Sequence, residues 1–393
     1  MAVLSSSSGT RPVVWLLCLA GLLLPATARG QAGYYFRPGA SVAEYYDDNI
    51  FRTVSDREDD AVSRLGAGAE AGYQSQPFTL LGHYRFESEI FANHPKLTNA
   101  FAVQDGGVQA TYLPTRLWIL NFTGGWVETQ LPETINIPSG ILGVRARARE
   151  YSLSPSVSHL WDPSTTVTAL YTFNSTRQAG ATTLDSHTAR LVVDRRLSER
   201  DTLHFGYTFR DFHSTGNRTG RSFSRNGGER AHVPTVGWTH QLSVLTSFTL
   251  DIGPRFSSTG RVTPEVLATV TRTLRNGRLM FTYTRTQYTV TGVGGPVTTD
   301  SVILMWERQL ANRLLISVSP GFYNNSQSDF NEKAYGLDFA ALYQINKWLG
   351  FRGSYRFIFE EGRLFSSGTA SHSELYRNVV LFELVASYPM RVY

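Results

Sequence analysis

From about residue 34 onward the chain alternates apolar and polar residues with a period of two, and this pattern sets the tightest limit on its fold. Phe78, Leu80, Gly82, Tyr84, Phe86 and Ile90 share one face, while Thr79, His83, Arg85, Glu87 and Glu89 share the other. The same pattern returns at Leu203, Phe205, Tyr207 and Phe209 against His204, Gly206, Thr208 and Arg210. It returns again at Tyr335, Leu337, Phe339, Ala341 and Tyr343, and in the last segment at Val380, Phe382, Leu384, Ala386 and Tyr388. A period of two puts successive side chains on opposite faces of a strand. A soluble sandwich alternates as well, but its second face needs only to be wetted from outside. Here the second face is Ser, Thr, Gly and charge throughout, which suits a water-filled interior and leaves the apolar face for lipid. No later segment reaches 18 consecutive apolar residues, so helical membrane spans are excluded. The mean hydropathy of −0.19 agrees, because only every second strand residue would meet lipid.

The connections give an independent test. Short turns are expected near Ser75–Pro77, Leu113–Arg116, Trp161–Ser164, Ser198–Asp201, Ser243–Leu245, Arg275–Gly277, Ala311–Arg313 and Asn346–Trp348. Between them lie mostly longer polar loops at Asp47–Asp60, Ala92–Asn99, Gln130–Ala148, Ser175–Ser186, Ser214–Ala231, Ser257–Arg261, Thr289–Thr299, Asn325–Lys333 and Glu360–Tyr376. Sorting of short and long connections is a property of transmembrane barrels, with short turns periplasmic and long loops extracellular. The expected fold is therefore all-β: an antiparallel up-and-down transmembrane barrel of about eighteen strands over residues 34–393, with both termini periplasmic. Sixteen strands stays open, because the patterns starting at Ala100 and Thr188 are weak. Aromatic residues recur at strand ends, including Trp118, Trp161, Trp238, Trp306 and Trp348, as interfacial girdles require.

The first residues fit an export signal. Arg11 precedes the apolar run Val13–Leu24, and Ala26-Thr27-Ala28 follows Pro25 with the small-residue spacing of a cleavage site. Residues 1–28 read as a signal peptide, with cleavage as late as residue 32. Cys18, the single cysteine, lies inside that run, which leaves no disulfide, thiol catalyst or cysteine metal site in the mature chain.

The formal charge is +5, and only Lys96, Lys333 and Lys347 are lysines. The arginines are scattered and no nucleic-acid motif groups them, so nucleic acid is not an expected partner. Strand parity assigns Arg64, Glu70, Arg85, Glu87, Glu89, Arg210, Arg255, Asp338, Arg352 and Arg356 to the lumen. Both signs are mixed there: the set reads equally as a channel lining or as ion pairs filling a narrow barrel. Arg218, Arg221, Arg225 and Arg230 fall in a Gly- and Ser-rich loop, where they are candidates for contacting anionic ligands or lipopolysaccharide phosphates. Asp47, Asp48, Asp56, Glu58, Asp59 and Asp60 make the first loop acidic; without EF-hand spacing they read as solvated surface charge rather than a calcium site. No nucleophile elbow, phosphate loop or His-Glu-x-x-His is present, so no catalytic, cofactor or metal residue is assigned and no enzyme activity is expected.

Tyr46, Asp48, Asn49 and Ile50, at the end of the first alternating strand, resemble the Tyr-x-Asp-Asn-Ile/Val motif of the outer-membrane β-barrel porin type 2 family. That resemblance implies an outer-membrane location and a link to exopolysaccharide export; the family has no settled functional residues to carry over. The expected function is a porin-like channel that passes a secreted polysaccharide; a wide mixed-charge lumen with aromatic rings facing inward would support that route, since sugars stack on rings. The alternatives are a diffusion porin for small solutes and a non-transporting scaffold or adhesin. Expected partners are outer-membrane lipid and lipopolysaccharide, the barrel-insertion machinery, and polysaccharide or periplasmic export components.

Overall fold

The fold is known from a computed structural model, which describes residues 33–143, 145–179, 183–215, 227–291, 293, 295–327, 330–362, 373–388 and 390–392. The signal segment and Arg218, Arg221 and Arg225 lie outside these residues.

The alternating segments form strands that pair antiparallel with their sequence neighbours. They are β1 (Gly33–Asp47), β2 (Asp60–Gln74), β3 (Phe78–Phe91), β4 (Asn99–Thr115), β5 (Trp118–Thr129), β6 (Ala148–Asp162), β7 (Thr165–Gln178), β8 (Thr183–Arg196) and β9 (Asp201–Thr215). The second half holds β10 (Gly227–Ser243), β11 (Thr246–Ser257), β12 (Val262–Leu274), β13 (Gly277–Thr289), β14 (Pro296–Ala311), β15 (Leu314–Gln327), β16 (Phe330–Gln344), β17 (Leu349–Gly362) and β18 (Ser373–Ser387). β18 returns to β1, from Gly39↔Ser387 to Asp47↔Val379, and closes the barrel. A short β19 (Met390–Val392) continues that seam along the start of β1. Closure leaves no sheet edge unpaired, the condition for a β structure to sit in hydrocarbon.

Eighteen strands, not sixteen, make the wall. The two segments with weak alternation both form strands, β4 and β8, because each is paired along its length by neighbours on both sides. Their glycines and small polar residues blur the pattern without preventing the ladder. Several loops are shorter than their polarity suggests. β7 runs to Gln178 and β8 starts at Thr183, inside the expected Ser175–Ser186 loop; β15 and β16 likewise consume most of Asn325–Lys333. Strands of about 15 residues, at ~3.3 Å each and tilted ~40°, rise roughly 38 Å, beyond an apolar band of about 25 Å. Their polar ends are strand standing clear of that band, which a polarity reading takes for loop.

The outer face carries large exposed apolar side chains on every side, among them Leu80, Leu120, Leu191, Phe205, Ile252, Leu304, Phe339 and Leu384. The inner face of β5–β8 is rich in hydroxyls: Ser154 bonds Thr172 at 3.2 Å and Ser158 meets Thr168 at 2.9 Å, with Glu150, Arg190 and Asp194 on the same face. A similar Thr-rich wall lines β10–β13, with Thr239 and Thr249 2.9 Å apart. The connections sort by end. One end has residues 75–77, 116–117, 163–164, 197–200, 244–245, 275–276, 312–313 and 345–348; the other has the longer ones, including 48–59 and the segment between β5 and β6. β1 starts and β18 ends at the short-turn end.

Candidate functional site: a strut across the long-loop mouth

Buried apolar side chains and buried charges come together at the long-loop mouth, around the segment between β5 and β6. This segment joins β5 to β6 and contains two 3-10 turns, Pro132–Thr134 and Ile137–Ser139. It carries Leu131, Ile141 and Leu142, all buried, where a solvated loop would be polar. Ile141 packs with Val290, Val293 and Val297 at the β13–β14 connection. Leu142 packs on Leu375 of β18, flanked by Val54 and Ile358. Asn325 of β15 donates to the Ser139 carbonyl at 2.9 Å, and the Thr291 N–H donates to Asn136 at 2.8 Å. The ring of Tyr323 lies against Gly140, where a Cβ would come within 2.4 Å of it and where φ is +67°; both facts require glycine. A segment rooted on β5 and β6 thus docks on β14, β15, β17 and β18, across an eighteen-strand ring. It is a strut through the mouth.

Buried charge ties the strut to the barrel seam. Arg377 of β18 donates to Asp47 of β1 at 2.7 and 3.0 Å and to Glu133 of the strut at 2.8 Å. Glu133 also contacts Arg52 of the first loop, which donates to the Leu142 and Gly143 carbonyls at 3.3 Å. The Leu142 N–H donates to Glu360 of β17 at 2.6 Å. Arg52 is fully enclosed at φ +57°, a conformation that non-glycine residues adopt only when their surroundings hold them there. Burial pulls the Arg52 guanidinium down to about 10, opposed by Glu133. For Glu133, burial acts to raise the pKa, but Arg52 and Arg377 outweigh it and hold the carboxyl below the usual range. Either charge left alone there would be costly, so they function as a set.

A second group adjoins the first. Glu89 accepts from Arg64 at 2.6 Å, from Arg145 of the strut at 2.8 Å and from the Tyr45 hydroxyl at 3.1 Å. Arg64 also lies over the Tyr45 ring and Arg145 over Phe91, each 4.8 Å from the centroid.

All the lumen candidates fall on the inward face, and each has an ion-pair partner. Arg64 meets Glu87 and Glu89; Arg85 meets Glu87 at 3.8 Å and Asp105 at 3.5 Å; Glu70 meets Arg37 at 3.5 Å. Arg210 and Arg255 share Glu265, Arg356 meets Asp338 at 2.5 Å, and Arg352 meets Glu383 at 3.8 Å. These charges are paired with one another along the wall, an arrangement common to both readings of the sequence. Arg230 lies not in a loop but in β10, outward and 3.6 Å from Asp211. The first loop also departs from solvated surface charge: Asp47 and Asp60 are fully buried, Asp47 under Arg377 and Asp60 under His94 at 2.8 Å. Asp56, Glu58 and Asp59 are exposed, as expected.

The short motif of the first strand has a structural role. Asp48 accepts from the backbone and side chain of Asn378 at 2.7 and 2.6 Å; Asn49 donates to the Thr53 and Tyr376 carbonyls, and Ile50 is buried. The motif turns the chain at the top of β1 and fastens the seam. Asp47 was seen in the sequence only as part of an acidic loop, while Arg52, Glu133, Arg145, Glu360 and Arg377 were missed. The one available signal was Leu131, Ile141 and Leu142 in a segment otherwise read as loop.

No family model matches the chain and no curated relative does. Among solved structures, Pseudomonas aeruginosa OccK7 (OpdD) is similar at 14% identity and TM-score 0.49, over 93% of this chain and 100% of that one. Acinetobacter baumannii OccAB3 is similar at 10% identity and TM-score 0.47, over 92% and 100%. The siderophore receptor PirA from Acinetobacter baumannii gives 8% and 0.46, over 92% and 81%. At these values the barrel rests on its own closed ladder of strand pairs rather than on the likeness.

Proposed function

We propose that the chain is a porin-like outer-membrane channel for small polar solutes, with its mouth narrowed by the 130–147 strut. The observation that carries this reading is the inversion of a soluble protein: exposed apolar side chains outside, and Ser, Thr and ion pairs inside. Such a surface needs lipid around it, and such an interior needs water. In this reading the short turns and both chain ends are periplasmic, and the strut faces outward from the cell. Solutes pass beside the strut, along the walls of β5–β8 and β10–β13, where Ser and Thr side chains offer hydrogen bonds.

The motif of the first strand keeps its resemblance to the type 2 porins, but the wall favours small solutes over a polymer. Rings lining the path would support a sugar route by stacking. Among the inward Phe, Tyr and Trp side chains that the structure describes, Tyr35, Tyr45, Phe91, Phe212, Tyr288 and Tyr323, none is exposed, and Tyr45, Phe91 and Phe212 are buried. A strut across the mouth also obstructs a growing chain more than it does a hydrated monomer. Liposome swelling with neutral sugars of increasing length tests this. Monosaccharides should enter quickly and oligosaccharides slowly or not at all; equal rates across the series would sink the small-solute reading.

A further inference from the structure

The periplasmic rim of β12–β16 is strongly basic. Arg272, Arg275, Arg278, Arg308, Arg313 and Lys347 are all exposed there, and Glu307 is the one acidic residue of that arc among the described residues. Glu307 faces inward, opposite Arg278 in the β13–β14 register, which leaves the other five without a countercharge. Arg313 donates to the Ile345 carbonyl at 3.1 Å and so joins two adjacent turns. Arg272, Arg275 and Arg308 have no hydrogen-bond or ion-pair partner among the described residues.

The position of two of these arginines identifies what can reach them. Arg272 sits on the outward face of β12 between Val270 and Leu274; Arg308 sits on the outward face of β14 between Trp306 and Leu310. Leu279 links them across β13, opposite both Arg272 and Trp306 in register. Each guanidinium therefore emerges from the apolar outer wall itself, one step from the last turn. A soluble acidic protein approaching from the periplasm meets the turns, not this face. An unpaired charge among lipid-facing side chains is costly, and a phosphate at headgroup depth removes that cost with charge-assisted hydrogen bonds. Long arginine side chains can extend toward the headgroups while their stems stay on the apolar wall.

We infer that this arc is a docking surface for the phosphate of an acidic phospholipid in the periplasmic leaflet, with Arg272 and Arg308 holding the headgroup and Arg275, Arg313 and Lys347 supplying the surrounding field. The inference rests on the membrane reading above. It is tested by reconstituting the full chain into bilayers of phosphatidylcholine with a minor share of phosphatidylglycerol, then measuring which lipid is retained in gentle detergent. The wild type should enrich phosphatidylglycerol, and Arg272→Gln/Arg308→Gln should lose roughly fivefold of that enrichment per arginine. Arg147→Gln/Arg149→Gln, at the opposite rim, should leave it unchanged. An inserted barrel whose retained lipid mirrors the bulk, or a rim double variant as selective as wild type, overturns the inference while the barrel reading stands. The same holds if the enrichment vanishes only in the opposite-rim variant, or if polyglutamate displaces the lipid. A chain that does not insert overturns both.

Discussion

Glu133→Gln removes one charge from the centre of the strut network and almost none of its volume. Glu133 is the carboxylate shared by Arg377 at 2.8 Å and by Arg52. Arg377 keeps Asp47, so the deficit falls on Arg52, which is 1% exposed and retains only carbonyl acceptors. Leaving a buried charge without its partner costs about 3–5 kcal/mol. The competing hold on the strut is the burial of Ile141 and Leu142, at about 1.5–3 kcal/mol each. The ionic loss is thus comparable to the whole apolar anchor, and the equilibrium constant for docking should fall by roughly a hundredfold for about 3 kcal/mol. Amide hydrogen exchange reads this directly. The Leu142 N–H, held by Glu360 at 2.6 Å, and the Thr291 N–H, held by Asn136 at 2.8 Å, should lose about two decades of protection, while wall amides such as Phe205 do not change. Unchanged protection at Leu142 and Thr291 would refute the claim that charge holds the strut, and a collapse of the wall amides would show that Glu133 supports the barrel instead.

Further outcomes follow from the same geometry. Because Glu133 is held below its ordinary carboxylate value, its contribution is present above about pH 4.5 and is lost as pH falls through the depressed folded pKa; the loss is read as single-channel steps that enlarge below that pH in wild type and not in Glu133→Gln. His94 behaves oppositely: bonds to Asp60 and Glu58 raise its pKa, so its clasp is complete below about pH 6.5 and is lost as pH rises through the raised value. Protection of the Asn93 and His94 amides, both held by Asp60, should fall across that window in wild type and show no such step in His94→Gln. Gly140→Val should undock the strut against Tyr323, costing more than about 1 kcal/mol from the positive φ alone, and raise the exchange rate of the Leu142 amide.

Much of the fold could be read from the sequence because a barrel wall is a repeated local pattern. Residues i and i+2 share a face whatever their partner strand is, so Arg64, Glu87 and Asp338 could be assigned to the interior from parity alone. The pairs themselves were harder. Arg85 with Asp105 or Arg352 with Glu383 depend on register, and register depends on turn length and bulges such as the shift between Glu87 and Glu89. The strut was the least visible feature. Its contacts join positions as far apart as Asp47 and Arg377, and no local period marks a loop that folds inward. Asp47 looked like solvated charge because its countercharge is contributed by the last strand.

Current across a planar lipid bilayer, from refolded chain whose gel mobility shifts on boiling, tests the channel reading most directly. It should appear as discrete, ohmic steps that grow when the strut is released by Glu133→Gln. A barrel that shows the mobility shift and inserts, yet passes no current in wild type or variant, would contradict the channel and leave a scaffold in its place.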